Sequence, residues 1–373
     1  MLCFYWLPFR KGSIKNIIFK NLSVTRGFDC SNALPGDIVQ LSIKVTNRKI
    51  LPVTWMHIES ILPVELKLVN ETVKEYRNKT EYLHNIVMSI LPYQRVNRKY
   101  KVKCAQRGYY KIRMVEVKST DMFGDKSYSI KIDAPANITV YPRFADLSGL
   151  QIPAGTMQGD VVVKRWILDD PVMIAGVRDY SRGDSIRDIN WKITAKRQKL
   201  MVNQHDFTSD KKIMLILDVD DFDDIWSVTN ELTQLVEQAI EVTASIADIA
   251  INEGLPVGFA TNALYGGNRE NAVVQPNTGD DQLGEILNCL GRIQYYKKYS
   301  FHELMQLLER DMEWGTELIM VVPSVRDEFM VELQLLKHRK VTVVSMSGCE
   351  AKAVPQNCDI YVYDKVGEPD AVI

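Results

Sequence analysis

Apolar and polar positions alternate strictly in DIVQLSIKVTN, where Val39, Leu41, Ile43 and Val45 interleave with Gln40, Ser42, Lys44 and Thr46. A period of two is the mark of a half-buried strand. RKYKVKC repeats it, with Tyr100, Val102 and Cys104 set against Lys99, Lys101 and Lys103. SYSIKI repeats it again through Tyr128, Ile130 and Ile132. Turn-forming residues separate these runs: Pro35-Gly36-Asp37, Asn47-Arg48-Lys49, Arg107-Gly108 and Asp121-Met122-Phe123-Gly124. Many short strands punctuated by turns predict a β-sandwich over residues 20–141.

The period changes after residue 211. IMLILDV is a continuous apolar run, as in a parallel strand buried on both faces. The segment from about 225 to 252 keeps helical spacing through Ile225, Val228, Leu232, Leu235, Val236, Ala239, Ile240, Ile246 and Ala250, and Gly254 stands where a C-terminal cap belongs. VGFA, EILNCL, HELMQLLERDM, ELIMVV, a helix near 326–338, VTVVSMS and DIYVYD then alternate strand and helix. That order predicts a doubly wound α/β domain over 211–373. Residues 142–210 read as a connector, broken by Pro142, Pro153, Gly155, Gly159 and Pro171. The expected fold class is therefore all-β followed by α/β.

Residues 1–19 open with MLCFYWLPF, about half of the roughly 20 residues a membrane helix needs. Two readings stand. The stretch packs on the body of the protein, or it is the remnant of a membrane anchor with Arg10, Lys11 and Lys15 on the cytoplasmic side. A signal peptide puts its charge before the apolar run, so the order here argues against one.

A chain of 373 residues is long enough for two cores. Its acids and bases nearly cancel to a net charge of -1, so no global field points to nucleic acid or to an anionic membrane. The six cysteines form no C-x-x-C pair, which suits a reducing, cytoplasmic compartment and no structural zinc.

One stretch, RDYSRGDSIRDINWK, contains the adhesion-like tripeptide Arg182-Gly183-Asp184. Physical reading favours a turn at Gly183 and an N-capping Asp184, leading a short helix striped by Ile186, Ile189 and Ile193 and anchored by Trp191. The whole run resembles the signature of the bacterial domain-of-unknown-function family 58. Gly176, Arg178, Tyr180, Gly183, Asp184, Arg187, Ile189, Trp191, Lys192, Thr194, Ala195 and Lys196 carry the likeness. QRGYYKIRMVEVKSTDMFGD, ITVYPRF and NLSVTR with PGDIVQLSIKV extend it upstream. The resemblance implies a membrane hairpin, a β-domain and a von Willebrand factor A-like α/β domain. It also implies partnership with a MoxR-type AAA+ ATPase in assembling or maturing client proteins, attached to the inner face of the cell membrane.

Such an α/β domain holds Mg²⁺ or Ca²⁺ with D-x-S-x-S after its first strand, plus a Thr and an Asp from later loops. Here Asp218 matches, Asp220 replaces the first Ser and Phe222 the second, while Thr278, Asp280 and Asp281 are the later oxygens. Carboxylates and hydroxyls on tight turns are what a hard cation takes. Two readings follow: a cation held by Asp218, Asp220 and Thr278, or a degenerate edge of solvated acids. ILDVDD also resembles the first motif of haloacid-dehalogenase phosphatases, but Phe222 and the long helix soon after oppose it. The five histidines have no metal-ligand spacing. The expectation is a non-enzymatic interaction or scaffold protein that binds through the carboxyl edge of its α/β sheet.

Overall fold

The computed structural model describes residues 17–69, 74–75, 80–120, 126–151, 174–180, 190–205, 212–219, 230–266, 272–313, 315–325, 327–336, 339–347 and 358–363. The chain divides into two compact units, Met1–Arg143 with Leu290–Arg292, and Phe144–Cys289 with Ile293–Ile373.

The first unit carries β1 (Leu22–Phe28), β2 (Asn32–Ala33), β3 (Ile38–Asn47), β4 (Val53–Pro63) and β5 (Leu66–Leu68). It continues with β6 (Lys74–Glu75), β7 (Glu81–Ile90), β8 (Arg95–Cys104), β9 (Gly108–Thr120) and β10 (Ser127–Val140). These form a four-stranded sheet, β1-β3-β8-β5, and a six-stranded sheet, β2-β10-β9-β4-β7-β6. All pairings are antiparallel except β2 with β10. One core serves both sheets. Val39, Leu41, Ile43 and Val45 of β3 join Met56 and Ile58 of β4 and Val115 and Val117 of β9 in it. The alternation predicted from β3 therefore sets the buried face, and each such side chain contributes roughly 1.5–3 kcal/mol. Gly36 takes φ +102 in the turn before β3, a conformation that favours glycine.

A charge lies inside this core. The β9–β10 register shifts between Asp133 and Ala136, as at a bulge, which frees carbonyls from the ladder. Arg26 of β1 meets them: Nε donates to Ala134 O at 2.9 Å and a terminal nitrogen to Met114 O at 3.4 Å. Burial pulls the Arg26 guanidinium down to about 10, while Asp133 opposes the fall. His84 of β7 is buried too and packs edge-on against Tyr100 at 4.5 Å. Desolvation first, and then Arg26, push its imidazole down to about 4.

The second unit begins with β11 (Leu150–Gln151), β12 (Ile174–Asp179), α1 (Trp191–Arg197), β13 (Met201–His205), β14 (Ile213–Leu217) and α2 (Asn230–Asn252). Then come β15 (Val257–Thr261), β16 (Ala263–Tyr265), β17 (Val273–Asn277), α3 (Asp280–Arg292) and β18 (Ile293–Lys297). It ends with α4 (Phe301–Asp311), β19 (Glu317–Val322), α5 (Asp327–Leu335), β20 (Val341–Ser345) and β21 (Cys358–Tyr363). The main sheet runs β11-β21-β20-β19-β14-β15-β17. Its five inner strands are parallel, and β11 and β17 are antiparallel edges. Every residue of β14 is fully buried, as the unbroken apolar run requires. Gly254 takes φ +82 just past α2 and donates to Ile251 O, the cap expected of it. Ser300 and Glu303 close a reciprocal capping box at the start of α4.

Residues 142–210 do more than connect. They supply the edge strand β11, and β12 pairs with β13 in a separate ribbon. No helix among the described residues is long and apolar enough to cross a membrane.

Candidate functional site

An open parallel sheet binds ligands outside the carboxyl ends of its strands, where the strand order reverses direction. Here β15 follows β14 on one side of the sheet, while β19, β20 and β21 build outward on the other. The switch point therefore lies between β14 and β19. Asp218, the residue after β14, stands there.

Its neighbourhood is tightly bonded. Asp218 N donates to Val321 O at 3.1 Å, fastening the strand end to β19. The Asp218 carboxylate is buried and accepts from Asn262 Nδ2 at 2.5 Å. Asn262, the residue after β15, is itself fully buried. Its Oδ1 accepts from Val219 N at 2.9 Å, and its backbone carbonyl accepts from Lys298 N at 2.7 Å. One amide side chain thus ties together the ends of two parallel strands and a third segment. Beside it, Thr261 Oγ1 accepts from Ala263 N at 3.1 Å. Beyond β19 and β20, Met346 N donates to Val322 O and Ser347 N to Pro323 O, so the ladder continues past the strands. Ser345 Oγ donates to Ser347 O at 2.6 Å. The edge is a set of pinned loop starts.

Thr278 of the expected cation set does not lie beside Asp218. Asn277 pairs with Val257, at the beginning of β15, whereas Leu217 pairs with Thr261, at its end. Thr278 follows Asn277 and so lies at the amino edge of the sheet, about six residues or roughly 20 Å along the strand direction from Asp218. Asp280 and Asp281 head α3 at that same edge, where Gln282 Nε2 donates to Val257 O at 2.6 Å. The cause is the reversed direction of β17. The sequence spacing suggested a loop at the carboxyl edge, but an antiparallel strand delivers its following loop to the other one. Asp218 Oδ1 accepts an amide N–H from Asn262. Asp220 and Phe222 lie outside the described residues. No group of three or more His, Cys, Asp or Glu among the described residues has metal-holding geometry.

The signature stretch divides. Arg178 and Asp179 close β12 against Val202 and Met201, and Tyr180 N donates to Leu200 O at 3.0 Å. Gly183, Asp184, Arg187 and Ile189 lie outside the described residues, and the Arg-Gly-Asp tripeptide with them. The helix that carries Trp191, Lys192 and Ala195 begins at Trp191, and its N-cap is Asn190, whose side chain accepts from Ile193 N at 3.1 Å. Asp184 is therefore not the cap of this helix. Trp191 is 64% exposed rather than buried as an anchor, and hydrogen bonds fasten α1 to the strand that follows it. Asn190 N donates to Met201 O, and Thr194 Oγ1 accepts from Met201 N at 3.0 Å. Asn190 and Asn262 are the positioning residues that sequence reasoning passed over. An Asn before an apolar-striped run was a legible cap signal for the first. Nothing local marked the second.

These features define a class: a β-rich unit followed by an α/β unit whose parallel sheet carries a pinned carboxyl edge at its switch point. The chain belongs to the family described as "Protein of unknown function DUF58", which matches residues 176–364. It is similar to "Uncharacterized protein YeaD" of Bacillus subtilis (strain 168), with 21% identity over 294 residues, covering 78% of this chain and 67% of that one. Among solved structures it is similar to a non-cellulosomal cohesin from Archaeoglobus fulgidus at a TM-score of 0.22 and 13% identity, covering 32% of this chain and 91% of that one. A CARDB domain from Pyrococcus furiosus, solved with di-metal ions, gives a TM-score of 0.21 and 13% identity over 33% of this chain and 94% of that one.

Proposed function

We propose that the α/β unit is a von Willebrand factor A-like docking module, and that the protein is a non-enzymatic scaffold. Its partner in this reading is a MoxR-type AAA+ ATPase, with which it assembles or matures client proteins. The observation that carries the reading is the use made of Asp218. Its carboxylate accepts from Asn262, which in turn accepts from Val219 N, so the acid helps hold two loop starts rigid for contact. A rigid, pre-ordered edge loses little entropy on association. The strand order and its switch point support the same assignment of the docking face.

The test is co-expression of the full chain with a MoxR-type ATPase, followed by affinity capture and cross-linking. Ser324, just after β19, supplies the variant: Ser324→Arg adds bulk and charge beyond the strand end and leaves Asp218 and Asn262 themselves unchanged. The expected result is capture by the wild type, cross-links to the loops after β14, β15 and β19, and at least tenfold weaker capture by Ser324→Arg. Equal capture by both, or none by the wild type, overturns the reading.

A further inference from the structure

Two loops at one end of the β-rich unit expose large apolar side chains. The β3–β4 loop presents Ile50 at 73% exposure and Leu51 at 42%, and the β7–β8 turn presents Leu91 at 61% and Tyr93 at 71%. A single exposed apolar side chain is ordinary, whereas a group of them marks an interaction site. The backbone sets these two loops side by side. Asn47, fully buried at the end of β3, donates from Nδ2 to Leu51 O at 2.9 Å and to Leu91 O at 3.0 Å. Tyr93 N donates to Lys49 O at 3.3 Å, so the loops are bonded to each other as well as to the strand.

The tip is also fixed in shape. Gln94 N donates to Leu91 O at 3.3 Å and Leu91 N to Gln94 Oε1 at 2.8 Å, which closes a turn over Leu91-Pro92-Tyr93-Gln94. Proline at the second position and a positive φ at the third are the pattern of a type II turn, whose third position takes glycine or asparagine. Here it is Tyr93, at φ +53. A bulky residue is disfavoured in that conformation, and such strain gathers at binding sites. Glycine would make this turn more easily. Tyrosine adds an exposed ring, a side chain of the kind that dominates binding hot spots.

The surroundings carry one sign of charge. Residues 38–58 and 82–115 include both loops and the strands beside them, and they contain three and eight Lys or Arg with no Asp or Glu. Arg48 in the first loop and Arg95, directly after the second, are both exposed. Arg95 pairs with Thr46, and the exposed Lys44 and Lys99 lie farther along the same two strands.

We propose that this tip binds an acidic protein segment that carries bulky apolar residues. Its apolar side chains seat on Ile50, Leu51, Leu91 and Tyr93, and its carboxylates meet Arg48 and Arg95. Charge selects the acidic partner, because a rim of one sign attracts its opposite and repels its like. The fixed turn selects a protein over a lipid surface. A shape held by hydrogen bonds loses less entropy on fitting a complementary partner, whereas a fluid bilayer has no shape to match. Three of the four apolar groups are aliphatic, with no ring to stack on a nucleic-acid base. This inference is independent of the docking edge on the α/β unit.

The experiment is selection of a random peptide display library on the immobilised full chain, followed by fluorescence anisotropy with a labelled selected peptide. The selected peptides are expected to be rich in Asp and Glu together with Leu, Phe or Trp. Leu91→Ser with Tyr93→Gly is expected to weaken peptide binding by about tenfold or more. The control is Ile38→Ser, which removes an exposed apolar side chain at the opposite end of β3 and is expected to change binding by under about twofold. Arg48→Gln with Arg95→Gln is expected to weaken binding and flatten its salt dependence. Tyr93→Gly alone separates binding from folding. Glycine suits the turn, so the melting temperature of the β-rich unit should hold or rise while binding falls. No enrichment of acidic, apolar peptides, an equal loss in Ile38→Ser, a Tyr93→Gly variant that melts lower, or tip variants that lose binding to phosphatidylglycerol vesicles or duplex DNA but keep the peptide each overturn the proposal.

Discussion

Asn262→Ala tests whether the carboxyl edge is held as described. The substitution removes the donor to the Asp218 carboxylate and the acceptor of the Val219 amide, both at fully or largely buried positions. A hydrogen bond to a charged acceptor is worth about 1.5–3 kcal/mol, and an orphaned buried N–H costs about 1–3 kcal/mol. The expected loss is about 3–5 kcal/mol. For a unit of this size each kcal/mol moves the melting temperature by roughly 2–4 °C, so a fall of about 10 °C is expected. Scanning calorimetry is the assay. Two units need not unfold together, and Leu41→Ala, in the core of the β-rich unit, identifies which transition belongs to which. Only the transition of the α/β unit should move in Asn262→Ala. A loss under about 1 kcal/mol, or an equal shift of both transitions, refutes the reasoning. Asn262→Asp sharpens it. That variant keeps an acceptor for Val219 but sets a second carboxylate against Asp218, and two such groups cannot both ionise cheaply. It should be more damaging at high pH than at low pH, the opposite of ordinary acid destabilisation.

His84 stays neutral in the folded β-rich unit down to about pH 4, whereas the unfolded chain takes up the proton near its ordinary value of 6.5. Between those limits the unfolded state binds more protons, so stability should fall as pH drops from 6.5 to about 4, by on the order of 3 kcal/mol, and His84→Gln should flatten that dependence in urea titrations. A Cβ at Gly258 in β15 would lie 2.9 Å from atoms of Pro276, so Gly258→Ala should cost about 1–3 kcal/mol by the same measurement. Thr278→Ala should leave any calorimetric titration with Mg²⁺ or Ca²⁺ unchanged, since the hydroxyl stands at the far edge from Asp218; a loss of binding would restore it as a ligand. Trp191→Ala should change stability by under about 0.5 kcal/mol, because the ring is 64% exposed.

Much of the fold was legible because its signals are local. Period-two alternation in β3, the unbroken apolar run of β14 and the glycine after α2 each report an environment that a few neighbouring residues decide. The edges were not legible, because distant partners decide them. Leu150–Gln151 becomes a strand only by pairing with Tyr363 and Val362, more than 200 residues away. VVQPN, with a proline inside it, is a poor strand by composition, yet an edge tolerates it. That one strand carries most of the consequence for the site. Run antiparallel, it delivers Thr278 to the edge opposite Asp218. The acid at the switch point has a partner from the neighbouring strand end. That partner is Asn262, a residue whose identity carries no motif and whose role exists because β14 and β15 end side by side. Asp218 was legible as a marked position from the sequence, but its contact with Asn262 is a property of which strands lie side by side.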